Sequence, residues 1–579
     1  MRIGKAAAIA DPPSAKRSGN AGSPPGHSPI PHAGAPTGST RMLLIYGAAA
    51  LLPAAAFAEA AVPSQFTVGI ELPSQVPVPK PVENALRDMG IGYVGFYVAN
   101  GSLGEAPEGE TTAGLLALCE RLGLQFTLDC HHRNPRPDSV RSAAAMGGAF
   151  QGVLVDELTH IRLLYPEFRP PSGDEMLADP AGFRDLLDAY SQTEAGLAKL
   201  SRHFTDLGAP RVVATEVWPS LLHAAAQAGM TPCPKICKEF YSPVSLAVGL
   251  GAALEYGRDL WVDVDMWYFM AIPGHPAEEV RANLELAYWL GADLVYLEGC
   301  GYNLFPAGQQ GFPFSLMTQI DAERYQLTPH GEMLKKFCTQ YLPAHPRPWS
   351  FRDLQPTMAV IRFDDTDVGQ KSWGVDRLYG TPHLKPDGDT SAWLGLWNVL
   401  TWGKTGSDGI AWFKASVPHP AGDPRYHVQV TPSYLTDPAC GEHRFFVPLN
   451  GAVVFDHLVS YERLRGIPLL FLTGKHVSRG TMAAVRRCVA EGALCVAWGP
   501  LASQNGIGGW TRGVKVVRHG RGRFVLTDDF QSRDAVSHYR CFLGRPDEIR
   551  YRFAGRTVVL KRITDNSLDV RLAEARPAR

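Results

Sequence analysis

The sequence has almost no net charge and few cysteines, and both shortages exclude classes of protein. The formal charge is −1 over 579 residues, so there is no basic excess to bind nucleic acid or an acidic membrane surface. Ten cysteines in a chain of this length do not form the disulfide framework of a small secreted domain. We interpret them as buried free thiols rather than disulfides or zinc ligands, although an oxidising compartment leaves room for one or two bridges.

Two motifs that bind common cofactors are also missing. No glycine-rich phosphate loop follows any predicted strand, so we expect no dinucleotide. His131 and His132 are adjacent, and on a strand they would point to opposite faces, which does not suit a shared metal ion. We therefore expect a site without metal or cofactor. A divalent ion bound by these histidines and nearby acids is the competing hypothesis.

The N-terminal segment has the pattern of an export leader. Residues 1–40 are rich in Pro, Gly, Ser and Ala, which predicts disorder. The apolar run 43–58 is shorter than a membrane-spanning helix and ends in the A-x-A cleavage pattern Ala56-Phe57-Ala58. We predict a disordered leader and signal peptide over 1–62, cleaved after this pattern, and a secreted or periplasmic protein that is not membrane-bound after cleavage. The long leader fits either a translation start at Met42 or an atypical signal.

After the leader, short apolar runs alternate with helical patterns eight times. The predicted strands are 66–72, 91–99, 124–132, 150–158, 211–218, 234–241, 259–267 and 293–302. Eight strand–helix units in succession predict a (β/α)8 TIM barrel over 63–345, and an open doubly wound sheet is the alternative. Glycines that end the predicted helices support these boundaries: Gly90, Gly123, Gly208, Gly257 and Gly291.

Nearly every predicted strand ends in an acid or an imidazole. In a TIM barrel the carboxyl ends of the strands form the rim where active sites lie. The acids and histidines at this rim are Glu71, Asp129, His131, His132, Asp156, Glu157, Glu216, Glu239, Asp263, Asp265 and Glu298. The accompanying aromatic residues are Tyr97, Trp218, Phe240, Tyr241, Trp267, Tyr268 and Tyr302. This pattern predicts a pocket for a neutral sugar, because carboxylates bind hydroxyl groups and aromatic rings stack on pyranose faces.

Two of these acids are predicted to be catalytic, as the general acid and the nucleophile or base of a glycoside hydrolase. They are Glu157, at the end of strand four, and Glu298, at the end of strand eight, with Asp265 as the alternative partner. The predicted substrate-binding residues are Glu71, Asp129, His131, His132, Asp156, Glu216, Glu239, Asp265, Trp267 and Tyr302. Two other classes stay open, a carbohydrate-binding barrel that does not hydrolyse its ligand and a metal-dependent hydrolase or lyase.

The second half of the chain predicts two further domains. Buried strands alternating with helices indicate a flavodoxin-like or amidotransferase-like α/β domain over 346–512. The turn Thr473-Gly474-Lys475 follows one of these strands and has no Cys or Ser in the position of a nucleophile, so we expect no catalysis there. Alternating patterns after about Gly513 predict a small β domain over 513–579.

This arrangement, with the helix LTPHGEMLKKF after the barrel, resembles the β-galactosidase-type glycoside hydrolases, a retaining TIM-barrel clan with an amidotransferase-like trimerisation domain. The resemblance covers most of the chain and implies a divergent member that forms a homo-oligomer. The clan's acid/base is a Glu at the end of strand four, usually after Asn. Glu157 matches this position, but Asp156 replaces the Asn. The clan's nucleophile, a Glu, ends strand seven, where this sequence has Asp263 and Asp265.

Overall fold

The computed structural model describes most of the chain beyond the predicted leader. It covers residues 66–72, 78–97, 108–130, 134–157, 180–217, 220–237, 241–266, 276–298, 316–364, 378–381, 383–405, 446–564 and 567–574. The predicted signal peptide and its cleavage site lie outside these ranges. Within them, no helix has the length and hydropathy to cross a membrane, and the cysteines are free thiols.

Eight parallel strands close into a barrel, which confirms the predicted (β/α)8 fold. The strands are β1 (Thr67–Leu72), β2 (Tyr93–Tyr97), β3 (Gln125–Cys130), β4 (Phe150–Asp156), β5 (Val212–Glu216), β6 (Thr231–Ile236), β7 (Trp261–Asp265) and β8 (Leu294–Glu298). β1 pairs with β8, with Gly69 opposite Tyr296, so the sheet has no free edge. The strands are apolar on both faces because one face fills the barrel and the other packs on helices.

The helices between these strands form the outer layer of the barrel. They are α1 (Lys80–Met89), α2 (Glu108–Leu122), α3 (Pro137–Ala144), α4 (Leu186–Asp206), α5 (Leu222–Gln227), α6 (Ser242–Tyr256) and α7 (Ala277–Trp289). The predicted glycine ends are confirmed at α1 and α6. There Gly90 and Gly257 adopt the left-handed conformation that closes a helix, with φ of 71° and 63°.

The predicted position of β6 is wrong. The pattern predicts a strand over 234–241, whereas the strand is Thr231–Ile236. Pro232 and Pro234 obscure it, because proline lacks the N–H group that a central strand donates and normally argues against a strand. β6 therefore ends before Glu239, which lies outside the described residues. The side chain near its carboxyl end is instead that of Lys235.

A second sheet follows the barrel. The connecting segment contains β9 (Met317–Gln319), β10 (Tyr325–Leu327), α8 (Pro329–Lys336), a π-helix (Phe337–Tyr341) and α9 (Leu342–Ala344). The sheet is built from β11 (Met358–Arg362), β13 (Ala452–Phe455), β14 (Leu469–Thr473), β15 (Leu494–Trp498), β16 (Lys515–His519) and β17 (Gly522–Thr527). Their order is β13-β11-β14-β15-β17-β16. The parallel strands thus follow the flavodoxin-like order 2-1-3-4-5, which confirms the predicted α/β class.

The helices of this region are α10 (Gly388–Leu400), α11 (Tyr461–Leu464), α12 (Arg479–Ala490), α13 (Gly499–Gln504) and α14 (Arg533–Tyr539). A last sheet combines β12 (Leu449–Asn450), β18 (Glu548–Phe553), β19 (Arg556–Thr564) and β20 (Ser567–Glu574). The hairpin β16–β17 belongs to the flavodoxin-like sheet, where β17 pairs with β15, although it lies beyond the predicted boundary at 513. An alternating pattern reveals antiparallel pairing but not which sheet the hairpin joins. The predicted domain boundaries stay predictions.

Helix α6 lies between the barrel and the second sheet. It is buried along almost its whole length, which explains why it is apolar on every face. It packs on β6 on one side and on β13 on the other. Gly251 allows the close approach to β13, because a Cβ there would lie 1.5 Å from the carbonyl oxygen of Val454. The second sheet is thus packed directly against a helix of the barrel's outer layer.

Candidate active site

The inner face of the barrel changes from apolar to polar toward the carboxyl ends of its strands. One buried cluster inside the barrel consists of Tyr93, Leu154, Val213, Cys233, Trp261, Leu294 and Tyr296. Side chains that point to the same face of a strand are two residues apart. The next inward positions are therefore Gly95, Asp156, Thr215, Lys235, Asp263 and Glu298. Four of these six residues have ionisable side chains, so ionisable groups are concentrated at the mouth of the barrel.

Lys235 is the centre of this polar layer, and its side chain has no exposed surface. Its Nζ lies 2.8 Å from Asp156 Oδ1, 3.1 Å from Glu157 Oε1 and 3.7 Å from Asp263 Oδ2. It also donates a hydrogen bond to Glu298 Oε2. Four carboxyl groups from three strand ends thus meet at one ammonium group.

Glu157 reaches this point through an unusual backbone conformation. Asp156 faces the barrel interior, so an extended backbone would turn the next side chain toward the helices. Glu157 instead has a φ of 47°, in the left-handed region, and its N–H donates to Thr215 O at 2.9 Å. A residue other than glycine in this conformation costs roughly 1–2 kcal/mol, and such strain is concentrated at functional sites. The turn allows both neighbouring acids to contact Lys235.

Burial and neighbouring charges act on the pKa values of this layer in different ways. Burial lowers the pKa of Lys235, but Asp156, Glu157, Glu298 and Asp263 outweigh that effect and hold the pKa well above its usual value. Burial, reinforced by Glu298, raises the pKa of Asp263 well above its usual value. The site therefore favours the charged form of Lys235 and the protonated form of Asp263. Tyr296 donates to Asp263 Oδ2 at 3.0 Å.

Asp129 forms a second buried element of the site, at the end of β3. Its Oδ1 accepts a hydrogen bond from Thr127, whose hydroxyl also contacts Tyr93. Burial raises the pKa of Asp129 to about 8, with a further rise from Asp156 and Glu298 against the opposing effect of Thr127. Gly95 makes room for this carboxyl, because a Cβ there would lie 2.2 Å from Asp129 Oδ2.

The other predicted site residues fall into two groups. Glu71, Glu216 and Asp265 are buried at the ends of β1, β5 and β7, as predicted. Along β5, however, Glu216 shares the strand face of Val212 and Ala214, which pack in the core cluster outside the inner layer. The predicted site residues outside the described ranges are His131, His132, Glu239, Trp267 and Tyr302. Their substrate-binding roles, like those of the first group, remain predictions.

Lys235 is the residue that sequence reasoning missed. A lysine inside the buried strand TPCPKI is a signal in itself, because lysine is almost never fully buried without partners. Lys235 lies two residues after inward-facing Cys233, so its side chain also points into the barrel. Carboxylate oxygens of Asp156, Asp263 and Glu298 lie within 4.8 Å of one another, a spacing that could also hold a metal ion. The cation among them is the ammonium of Lys235.

Comparisons with known proteins add a weak likeness. No protein-family model matches the chain, and no curated protein does. An exo-beta-1,4-mannosidase, Op5Man5 from Opitutaceae bacterium strain TAV5, is 11% identical with a TM-score of 0.43, covering 80% of this chain and 91% of that one. A beta-mannanase from Thermomonospora fusca is 14% identical with a TM-score of 0.29, covering 49% and 92%. A likeness at this level assigns neither activity nor substrate.

Proposed function

We propose that this protein is a glycoside hydrolase that uses Glu157 and Glu298 as its catalytic pair. The observation that carries this proposal is their contact with one nitrogen. Two oxygens bonded to the same Nζ, one at 3.1 Å and the other closer, lie within about 6 Å of each other. Retaining glycosidases separate their two carboxyl groups by about 5–5.5 Å and inverting ones by about 6.5–9.5 Å. The spacing favours a retaining mechanism.

The two acids differ in a way that suggests their roles. The Glu157 side chain is 13% exposed, the most accessible of the four carboxyl groups around Lys235. It can exchange a proton with solvent, as an acid/base residue must. Glu298 is 8% exposed and accepts a hydrogen bond from Lys235, which stabilises its anion. Glu298 is therefore the proposed nucleophile, and Glu157 the proposed acid/base.

The proposed substrate is a neutral oligosaccharide or polysaccharide. Buried carboxyl groups at the ends of β1, β3 and β7 offer acceptors for sugar hydroxyls: Glu71, Asp129 and Asp265. A relationship to the β-galactosidase-type hydrolases is part of this proposal. It is supported by the place of Glu157 after β4 and by a flavodoxin-like sheet whose turn after β14 lacks a nucleophile. From the leader segment we propose that the protein is exported, and from the resemblance that it assembles as a homo-oligomer.

The proposal is tested by a screen of aryl-glycosides and of plant and algal polysaccharides, with and without a chelator. Hydrolysis that the chelator does not affect supports it. Binding without turnover would support a carbohydrate-binding barrel, and chelator-sensitive activity would support a metal-dependent enzyme.

N-terminal sequencing of exported protein tests cleavage after Ala58. Light scattering at micromolar concentration tests the oligomer, and a monomer would contradict it.

A further inference from the structure

We infer that Lys235 is a positioning residue that holds the two acids of the catalytic pair, Glu157 and Glu298, beside each other. The inference rests on the proposed function. Its basis is the contact of one buried ammonium with Asp156, Glu157, Asp263 and Glu298.

The neighbourhood explains why a cation is required there. Asp129 of β3, Asp265 of β7 and Glu71 of β1 add further buried carboxyl groups at the mouth of the barrel. The neutral titratable groups of the inner cluster are Tyr93 of β2, Cys233 of β6 and Tyr296 of β8. Carboxylates packed this closely repel one another, and such repulsion raises their pKa values unless an opposite charge offsets it. Lys235 supplies that charge from the strand that faces them.

Both acids of the catalytic pair reach the same nitrogen. Glu157 Oε1 lies 3.1 Å from Lys235 Nζ, and Glu298 Oε2 accepts a hydrogen bond from it. The Lys235 side chain has no exposed surface, whereas the side chains of Glu157 and Glu298 are 13% and 8% exposed. The ammonium therefore lies deeper than the two carboxyl groups and fixes the distance between them, which a two-carboxylate mechanism requires.

The test compares Lys235→Ala and Lys235→Arg with the wild-type enzyme. With the aryl-glycoside that is hydrolysed fastest, the acidic limb of kcat/KM should move upward by ~1 pH unit or more in Lys235→Ala, because loss of the ammonium raises the pKa of both acids. Lys235→Arg should keep the limb near its wild-type position. Added ethylamine should restore part of the Lys235→Ala rate. An unshifted limb without rescue by amine would overturn the inference.

A second measurement does not depend on activity. In Lys235→Ala the uncompensated carboxyl groups have folded pKa values above their unfolded ones, so the stability they contribute at low pH is lost as pH rises. The difference in Tm from wild type should therefore be small at pH 4 and large at pH 8. A difference that is the same at every pH would contradict the inference. If the protein hydrolyses no glycoside but shows this pH dependence of stability, the proposed function is refuted, whereas the contact of Lys235 with the carboxyl groups is supported.

A failure of Lys235→Ala to fold does not end the test. Lys235→Ala combined with Asp156→Asn removes one positive and one negative charge, so the net charge of the cluster is unchanged. The double variant should fold, and its acidic limb should lie between those of the wild type and Lys235→Ala. A limb at the wild-type position would contradict the inference. Lys335→Ala is the matched control, because this lysine forms its ion pair with Asp88 on the outer helices, 2.7 Å away, and its loss should leave the limb unchanged.

Discussion

Parallel strands carry buried acids at their carboxyl ends in two places in this protein. One is the barrel mouth, where the acids of β4, β7 and β8 meet at Lys235. The other is the edge of the second sheet, which we call the second edge. It is formed by Asp364 after β11 and by Asp456 and His457 after β13. Both places gather acids that water cannot reach freely, and they differ in where the partners of those acids come from.

At the second edge, several hydrogen-bond partners come from the outer helices of the barrel, while Arg362 and the N–H of Leu458 contact the acids from the sheet itself. The N–H of Leu221 donates to Asp364 Oδ2 at 2.5 Å, and Tyr190 and Tyr256 donate to Asp456 Oδ2. The N–H of Asp456 donates to Glu255 Oε2 at 3.0 Å. Each of these last bonds crosses to a packed helix or its N-terminus. The second edge is thus held closed, although ligands often bind at this edge of open α/β sheets.

The pKa shifts of His457 and Glu255 reflect the burial of the second edge. Burial lowers the pKa of His457 to about 4, so the imidazole is neutral at physiological pH. Burial and the neighbouring Asp456 raise the pKa of Glu255 well above its usual value, which favours the protonated form of Glu255. At the barrel mouth the four carboxyl groups contact one buried ammonium instead, and the Glu157 side chain stays 13% exposed. Buried acids at strand ends therefore point to a functional site where at least one of them remains accessible.

The largest expected effect is at Glu157, and it tests the barrel side of the comparison. Glu157→Gln keeps the shape of the side chain but cannot deliver a proton. The rate on a substrate with a poor leaving group should fall by ~10² or more, in line with general acid catalysis. An activated aryl-glycoside, whose leaving group needs no proton, should lose much less. Steady-state kinetics on both substrates measure this. Equal, small losses on both would show that Glu157 only binds substrate or supports the fold.

Much of the architecture could be predicted from the sequence because its determinants are local. Apolar runs, helical periodicity and terminal glycines such as Gly90 and Gly257 lie within a few residues of the elements they define. β6 was the exception, because Pro232 and Pro234 oppose the strand assignment and only pairing with β5 and β7 overrides them. The sheet that the hairpin β16–β17 joins is equally a matter of long-range packing.

The candidate site could be predicted only in part. The rim position of Glu157 and Glu298 follows from the strand ends, but their close approach does not, because strands four and eight lie opposite each other in the barrel and predict a wide gap. The left-handed turn at Glu157 could not be foreseen, since a glutamate gives no local signal for a positive φ. The role of Lys235 was hidden because the predicted strand 234–241 places it near the start, away from the rim, whereas β6 ends at Ile236.

The second-largest effect is expected at the second edge, on stability alone. Asp456→Ala removes the acceptor of the Tyr256 hydroxyl and of the Leu458 N–H, whereas Tyr190 keeps its hydrogen bond to Gln227 Oε1 at 2.7 Å. Losses of this kind cost about 1–3 kcal/mol for each group left unsatisfied. Urea unfolding should show the loss, while kcat per folded molecule should be unchanged. The control is Asp138→Ala, an acid whose side chain is 95% exposed. A matching fall in kcat would mean that the second edge takes part in the reaction.

A smaller loss of stability is expected where the two regions meet. Gly251→Ala places a methyl group against the carbonyl oxygen of Val454, so α6 and β13 must separate slightly. Overpacking of this kind costs about 1–3 kcal/mol. Gly109→Ala is the matched control. Gly109 lies in helix α2 with nothing within 4 Å of the added methyl group, so this change should stabilise the protein by up to ~1 kcal/mol. Equal effects of the two substitutions in thermal unfolding would contradict the close contact at α6.

The smallest effect is expected at Lys475, which sharpens the comparison because it also follows the end of a parallel strand. Lys235 is fully buried among four carboxyl groups, whereas the Lys475 side chain is 29% exposed and pairs with Asp387, which is 44% exposed. An ion pair this accessible to water contributes about 0–1 kcal/mol. Lys475→Met should therefore lower the unfolding free energy by no more than that, and the acidic limb of kcat/KM should not move. A shifted limb would mean that the charge of Lys475 alters the ionisation of the acids at the barrel mouth. That result would contradict the distinction between a structural edge at the second sheet and a catalytic one at the barrel.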